Sequence, residues 1–253
     1  MLNNLKEIEK LCEKKEYLKA EKQLKTIKKK ITTANELYDY YKLYGICEFE
    51  KGKYKNAIKC FLLCLRIHEE NCLESSRIDT LHELSISYFR LYEITPKNNY
   101  LIDSIEYCKK AVNEGIMYSI VEKHSGFMTY FLESSEKYLL MLCQLGTLYQ
   151  TIGDYDNAIK ILEITKVSCQ RFRLWRILGT VYDELGNIYQ LINKPELAGY
   201  YYVKSINAKK IINNDIGIEI SLRNHLLCMM RNQSIINNKE NIRLQNILKD
   251  ECI

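Results

Sequence analysis

The stretch LGTLYQTIGDYDNAIKIL at 145–162 returns at 185–202 as LGNIYQLINKPELAGYYY. Position by position, Leu145-Gly146, Tyr149, Gly153, Tyr155, Ala158 and Leu162 are answered by Leu185-Gly186, Tyr189, Asn193, Pro195, Ala198 and Tyr202, at a constant offset of 40. An earlier copy reads Tyr44-Gly45, Gly52, Tyr54, Ala57 and Phe61, with Glu48 in the tyrosine position and Cys64 where the later copies carry Thr165 and Ser205. Glycine, then a turn residue, then alanine and a large apolar residue is what two helices pressed together require. The small residues admit the close approach, and the large one fills the space beside it. Gly52 and Gly153 suit the turn between the helices, and Pro195 opens a second helix where its missing N–H costs nothing.

Weaker copies extend the pattern. Leu84-Ser85, Tyr88, Ser104, Cys108 and Ala111 form one, with about seven extra residues around 95–99 that predict a bulging turn. Leu11, Tyr17, Ala20, Leu24 and Ile27 form another without the glycine. Repeat starts near residues 1, 38, 78, 139 and 179 give five helix pairs in a single domain, with a polar capping pair from about Glu219 that carries Asn232, Gln233, Asn237, Asn238 and Asn241. The longer gap before the fourth start falls mostly in 116–136, read as lengthened helices with a kink or a short extra helix.

The composition agrees with helices. Two prolines and ten glycines in 253 residues are too few to punctuate a sandwich or barrel, while 47% hydrophobic and 27% charged residues exclude wholesale disorder. The longest uncharged run, Tyr138 to Gly153, is too short and too polar to span a bilayer. The first residues lack an apolar signal segment, so a cytoplasmic protein with reduced thiols is expected despite ten cysteines. The net charge of +5 sits in residues 1–30, and the rest is neutral. That neutrality argues against a polyanion partner, although the basic amino-terminal helices keep a nucleic-acid contact open as a third reading.

The repeat resembles the tetratricopeptide repeat, and the likeness covers nearly the whole chain. It implies an all-α, right-handed helical solenoid whose first helices line a concave groove, with a peptide or protein segment as partner. Counting the family's groove positions from the repeat starts nominates Lys42 and Phe49, then His82, Glu83, Phe89 and Arg90. Further along it nominates Gln144, Thr147 and Gln150, then Asp183, Asn187 and Gln190, and finally Arg223, Asn224 and Leu227. Asn and Gln can bond both the N–H and the C=O of an extended peptide backbone, which makes Asn187 and Asn224 the clamp candidates. The Lys–Asn clamp of chaperone-binding relatives is incomplete, because Lys42 is followed by Ile46.

The 40-residue period and the composition are similar to the tetratricopeptide domains of Gram-positive peptide-pheromone receptors, the quorum-sensing regulators. Those receptors usually carry an amino-terminal DNA-binding or effector domain, whereas this chain opens directly on a repeat. The resemblance implies a cytosolic regulator that senses a signalling peptide. A constitutive scaffold for a protein complex is the rival, and a homodimer through the end repeats is compatible with either.

No motif of catalysis is present: no Gly-rich phosphate cradle, no paired histidines beside an acid, no glycine-flanked serine. The protein is expected to be no enzyme and to need no cofactor. Cys60, Cys64, His68 and Cys72 recur every four residues on one expected helix. They would spread over roughly 18 Å at 1.5 Å per residue, too far for one tetrahedral zinc, so core thiols are expected.

Overall fold

The computed structural model describes residues 2–73, 77–122 and 128–231, and all regular structure among them is helical. The chain divides into two compact units, 1–126 and 127–253.

The first unit holds α1 (Leu2–Glu13), α2 (Tyr17–Ile27), a 3-10 turn (Lys28–Lys30), α3 (Ala34–Glu50), α4 (Tyr54–Glu70), α5 (Ile78–Ile94) and α6 (Asn98–Glu122). The second holds α7 (Met128–Thr151), α8 (Tyr155–Phe172), α9 (Trp175–Leu191), α10 (Pro195–Ile211) and α11 (Asp215–Arg231). Within each unit consecutive helices pack on each other. First helices also touch the next first helix: α1 on α3, α3 on α5, and α7 on α9. Each unit is therefore a stack of hairpins, the α-solenoid arrangement, in which no pair buries its apolar stripe without a neighbour.

The glycines explain the tightness of the pairs. A Cβ at Gly45 would lie 2.6 Å from the Phe61 ring, at Gly146 2.7 Å from Leu162 Cγ, and at Gly186 2.6 Å from the Tyr202 ring. The same three second-helix residues are buried to 1% exposure or less, so glycine and bulky partner fit as one unit. The turns repeat as faithfully. Gly52, Gly153 and Asn193 have φ of 74°, 81° and 59°, and the next residue's N–H reaches back five residues, as from Lys53 to the Glu48 carbonyl at 2.9 Å. Lys15 and Asn213 adopt the same left-handed conformation in the corresponding turns.

The helix boundaries refine several expectations. The seven extra residues of the third pair make no bulge: the turn between α5 and α6 is 95–97, three residues long like the others. Measured from the matching small residues, α5 continues four residues further than α3, and α6 starts three earlier than α4. The insertion is thus spent on helix length. The lengthening expected in 116–136 is helical where it is described: α7, which contains the fourth start near 139, begins at Met128 and runs for 24 residues. α6 is similarly long at 25, so residues 116–122 and 128–136 are helical extensions, while 123–127 lie outside the described residues. The last repeat begins with α11 at Asp215, and the polar residues expected to cap it, Asn232 to Asn241, also lie outside them. The cysteine row breaks too. Cys60 and Cys64 are buried in α4, but Cys72 lies past its end with φ of 47°. Burial pushes the Cys60 thiol up to about 11, which makes it inert core.

Candidate peptide-binding concavity

In the second unit three first helices present one face each. On α9 Gln190 and Leu191 follow Asn187 at i+3 and i+4, and on α11 Leu227 and Arg231 follow Asn224 at i+3 and i+7, spacings that each keep to one helix face. With Gln150 of α7 and Tyr202 of α10 they line a single open concavity of about 300 Å³. Its polar lining is almost entirely amide. Leu191 and Leu227, 56% and 43% exposed, add apolar spots.

The hydrogen bonds divide these amides into held and available groups. The Tyr202 hydroxyl lies 2.9 Å from both Asn187 Oδ1 and Gln190 Oε1, and its one proton serves only one of them at a time. Asn187 also bonds the Glu184 carboxyl, which Thr147 bonds as well. Burial, reinforced by Asp183, pushes that carboxyl up to about 7. Asn187 is therefore fixed from two sides. By contrast Gln150 Oε1 is buried with no hydrogen-bond partner among the described residues, and so is Gln144 Nε2 on the same helix. A buried acceptor left unpaired costs about 1–3 kcal/mol, which a ligand N–H would recover.

Of the residues nominated from the sequence, Gln150, Asn187, Gln190, Asn224 and Leu227 meet in this concavity. Gln144, Thr147, Asp183 and Arg223 do not line it. Thr147 donates to the Cys143 carbonyl at 3.2 Å, and Arg223 pairs with Glu219 on exposed surface at 3.5 Å. Asp183 is the clearest departure. It ion-pairs with Lys209 of α10 and accepts from Ser221 of α11 at 2.8 Å, with Lys209 only 6% exposed. Both its oxygens are occupied by the fold itself.

In the first unit the nominees scatter. Lys42 pairs with Asp79 at 3.3 Å and borders a smaller concavity of about 120 Å³ with Leu5, Lys6, Glu9, Asp39 and Leu43. Phe49 packs edge-on to Tyr54 and joins the core around Ala57, Phe61 and Leu84. Phe89 stacks on Tyr92, and Arg90 pairs with Glu93 at 2.8 Å. Burial drives the His82 imidazole down to about 4, and it pushes the Glu83 carboxyl up to about 7.

The position rule missed Leu191, Tyr202 and Arg231. Tyr202 reads as a packing residue because it is one, yet its hydroxyl emerges at the concave surface. Arg231 lies seven residues beyond Asn224, and the i, i+3, i+7 spacing of Asn224, Leu227 and Arg231 was the signal that could have found it.

No described helix is long and apolar enough to cross a membrane. A family model for the tetratricopeptide repeat matches residues 38–71 and 140–163, one segment in each unit. No curated protein matches the chain by sequence. Among solved structures, the apo form of the quorum sensor NprR from B. thuringiensis superposes with a TM-score of 0.70 at 16% identity, over 96% of this chain and 62% of that one. NprR in complex with its cognate peptide NprX gives 0.63 at 16% identity, over 96% and 63%. The apo form of RapI gives 0.66 at 13% identity, over 88% and 56%. The chain spans about three-fifths of the length of these proteins, and at such identities the likeness is one of fold. Each unit thus holds one segment that matches the tetratricopeptide repeat model, in a helical fold similar to that of NprR and RapI.

Proposed function

We propose that this chain is a cytosolic regulator that binds a short extended peptide in the concavity between α7, α9 and α11. The observation that carries the reading is the amide lining with its unpaired buried acceptor, Gln150 Oε1. Main-chain recognition needs groups that both donate and accept, and Gln190 and Asn224 supply them beside that acceptor. The similarity of fold to NprR, solved with its peptide NprX, supports the same reading. Asn187, held by Tyr202 and Glu184, acts as a fixed donor, and the freer Gln190 and Asn224 close on the ligand.

A ligand that binds only the folded chain raises its melting temperature. Synthetic pools of short peptides should therefore raise it in the wild type, and much less in Asn224→Ala. If no pool shifts the transition while a folded protein co-purifies stoichiometrically, the chain is a constitutive scaffold and the peptide reading fails.

A further inference from the structure

Arg231 stands apart from the other residues of the concavity. Among the described residues it is the only charged one in a lining otherwise made of four amides, a tyrosine and two leucines, and it lies in the last turn of α11. It is exposed, and no carboxylate among the described residues pairs with it. The carboxylates of α9 are spoken for, Asp183 by Lys209 and Glu184 by Asn187 and Thr147, and on α11 itself Glu219 pairs with Arg223. Its charge nonetheless acts on the Tyr202 hydroxyl and the Cys228 thiol, so the guanidinium sits against the same wall that holds the amides.

We propose, resting on the peptide reading above, that Arg231 receives a carboxylate of the bound peptide and so sets the ligand's charge and direction. Guanidinium is the side chain best matched to a carboxylate, because its parallel N–H groups bond both oxygens at once. The spacing fits a chain end. Asn224 and Arg231 are about 10 Å apart along the α11 axis at 1.5 Å per residue, and an extended chain covers that in about three residues at 3.3 Å each. A peptide whose backbone is held at Asn224 therefore brings its third residue onward to Arg231. Leu227 lies between them on the same face, and Leu191 of α9 lines the same concavity. The ligand class is accordingly a short peptide with an apolar residue next to a carboxylate, which is either its own terminus or an acidic side chain near it.

Affinity selection by the full chain, read by mass spectrometry, tests this with three random hexapeptide pools. The first lacks Asp and Glu and has free carboxyl termini. The second is the same pool as carboxamides, and the third is carboxamides that include Asp and Glu. Wild type should retain the first pool about tenfold better than the second, and Arg231→Gln should erase the difference while Arg231→Lys restores part of it. Retention of the third pool but not the first assigns the carboxylate to a side chain, still at Arg231 if Arg231→Gln abolishes it. Equal retention of acid and amide pools by wild type and Arg231→Gln overturns the role of Arg231 and leaves the peptide site standing. Retention of none of the pools overturns the peptide site as well. Arg231 is exposed, so its variants should melt with the wild type, which keeps a loss of binding separate from a loss of fold.

Discussion

The hydroxyl of Tyr202 lies 2.9 Å from Oδ1 of Asn187, and through that contact a residue packed against Gly186 also sets an amide at the concave surface. Core and site share a side chain here. The ring fills the space that the glycine leaves, and the oxygen at its tip orients the group that would meet a ligand. A change in packing at this hairpin is thereby transmitted to the concavity without any contact between the altered residue and the ligand.

Tyr202→Phe keeps the ring and removes the hydroxyl. The part-buried Asn187 and Gln190 acceptors lose their donor, so urea denaturation should show a loss of about 0.5–1.5 kcal/mol. Retention of the peptide pools should fall in step, because Asn187 is released from one of its two anchors. Unchanged stability together with unchanged retention would mean that water replaces the hydroxyl completely.

Two glycines on adjacent helices should respond in opposite ways to the same substitution. A Cβ at Gly186 would lie 2.6 Å from the Tyr202 ring, whereas at Gly199 the nearest atom, His225 Cε1, is 3.4 Å away. Gly186→Ala overpacks and should cost about 1–3 kcal/mol. Gly199→Ala meets ordinary contact and gains helix propensity, and should stabilise by up to about 1 kcal/mol. Chemical denaturation of the two variants gives both signs, and a stabilised Gly186→Ala would show that the hairpin has room to open.

The steric code was legible because it is written in residue types at fixed positions: Gly45, Gly146 and Gly186 face Phe61, Leu162 and Tyr202, and nothing but glycine fits. The position rule found five of the eight residues of the concavity for the same reason. Helix ends were less legible. Pro96 with Asn98 and Asn99 has the composition of a loop, but α5 and α6 run up to a three-residue turn because packing against neighbours, which local propensity does not record, decides where they stop. Asp183 was misread because its partner could not be anticipated. Lys209 sits among packing residues of α10, and a lysine there reads as surface until its stem is seen against Gly179 and its ammonium on Asp183.

That buried pair yields a further test. The Lys209 ammonium donates to Asp183, to Ser221 Oγ at 2.8 Å and to the Gly217 carbonyl at 3.2 Å, so its three protons are all used. Lys209→Met strands the Asp183 carboxylate and should cost about 3–5 kcal/mol. The double variant Lys209→Met with Asp183→Leu should recover much of that, because the charge as well as its partner is gone. Equal losses in the single and double variants, read by urea denaturation, would show that Asp183 is solvated well enough to stand alone.

Stability should also depend on pH through Glu184, in a direction the geometry fixes. Burial, with Asp183 beside it, raises the folded carboxyl to about 7, above the roughly 4.3 of an exposed glutamate in the unfolded chain. The folded state therefore holds a proton that the unfolded state releases between those values, and the resulting stabilisation is complete below about 4.3 and lost as pH rises through about 7. Asn187 and Thr147 bond the carboxyl, and the Lys209 charge opposes the rise, so some of the cost of ionisation is already offset. Glu184→Gln removes the titration while keeping the side chain's shape and one acceptor oxygen. The variant should be more stable than wild type at pH 8, and the gap should close toward pH 4.5. The buried His225, driven down to about 4, works in the other sense, since it loses stability as pH falls from about 6.5, but it is common to both proteins and cancels in the difference. A gap between Glu184→Gln and wild type that stays constant across this range would show that the carboxyl ionises in the folded protein as freely as in water.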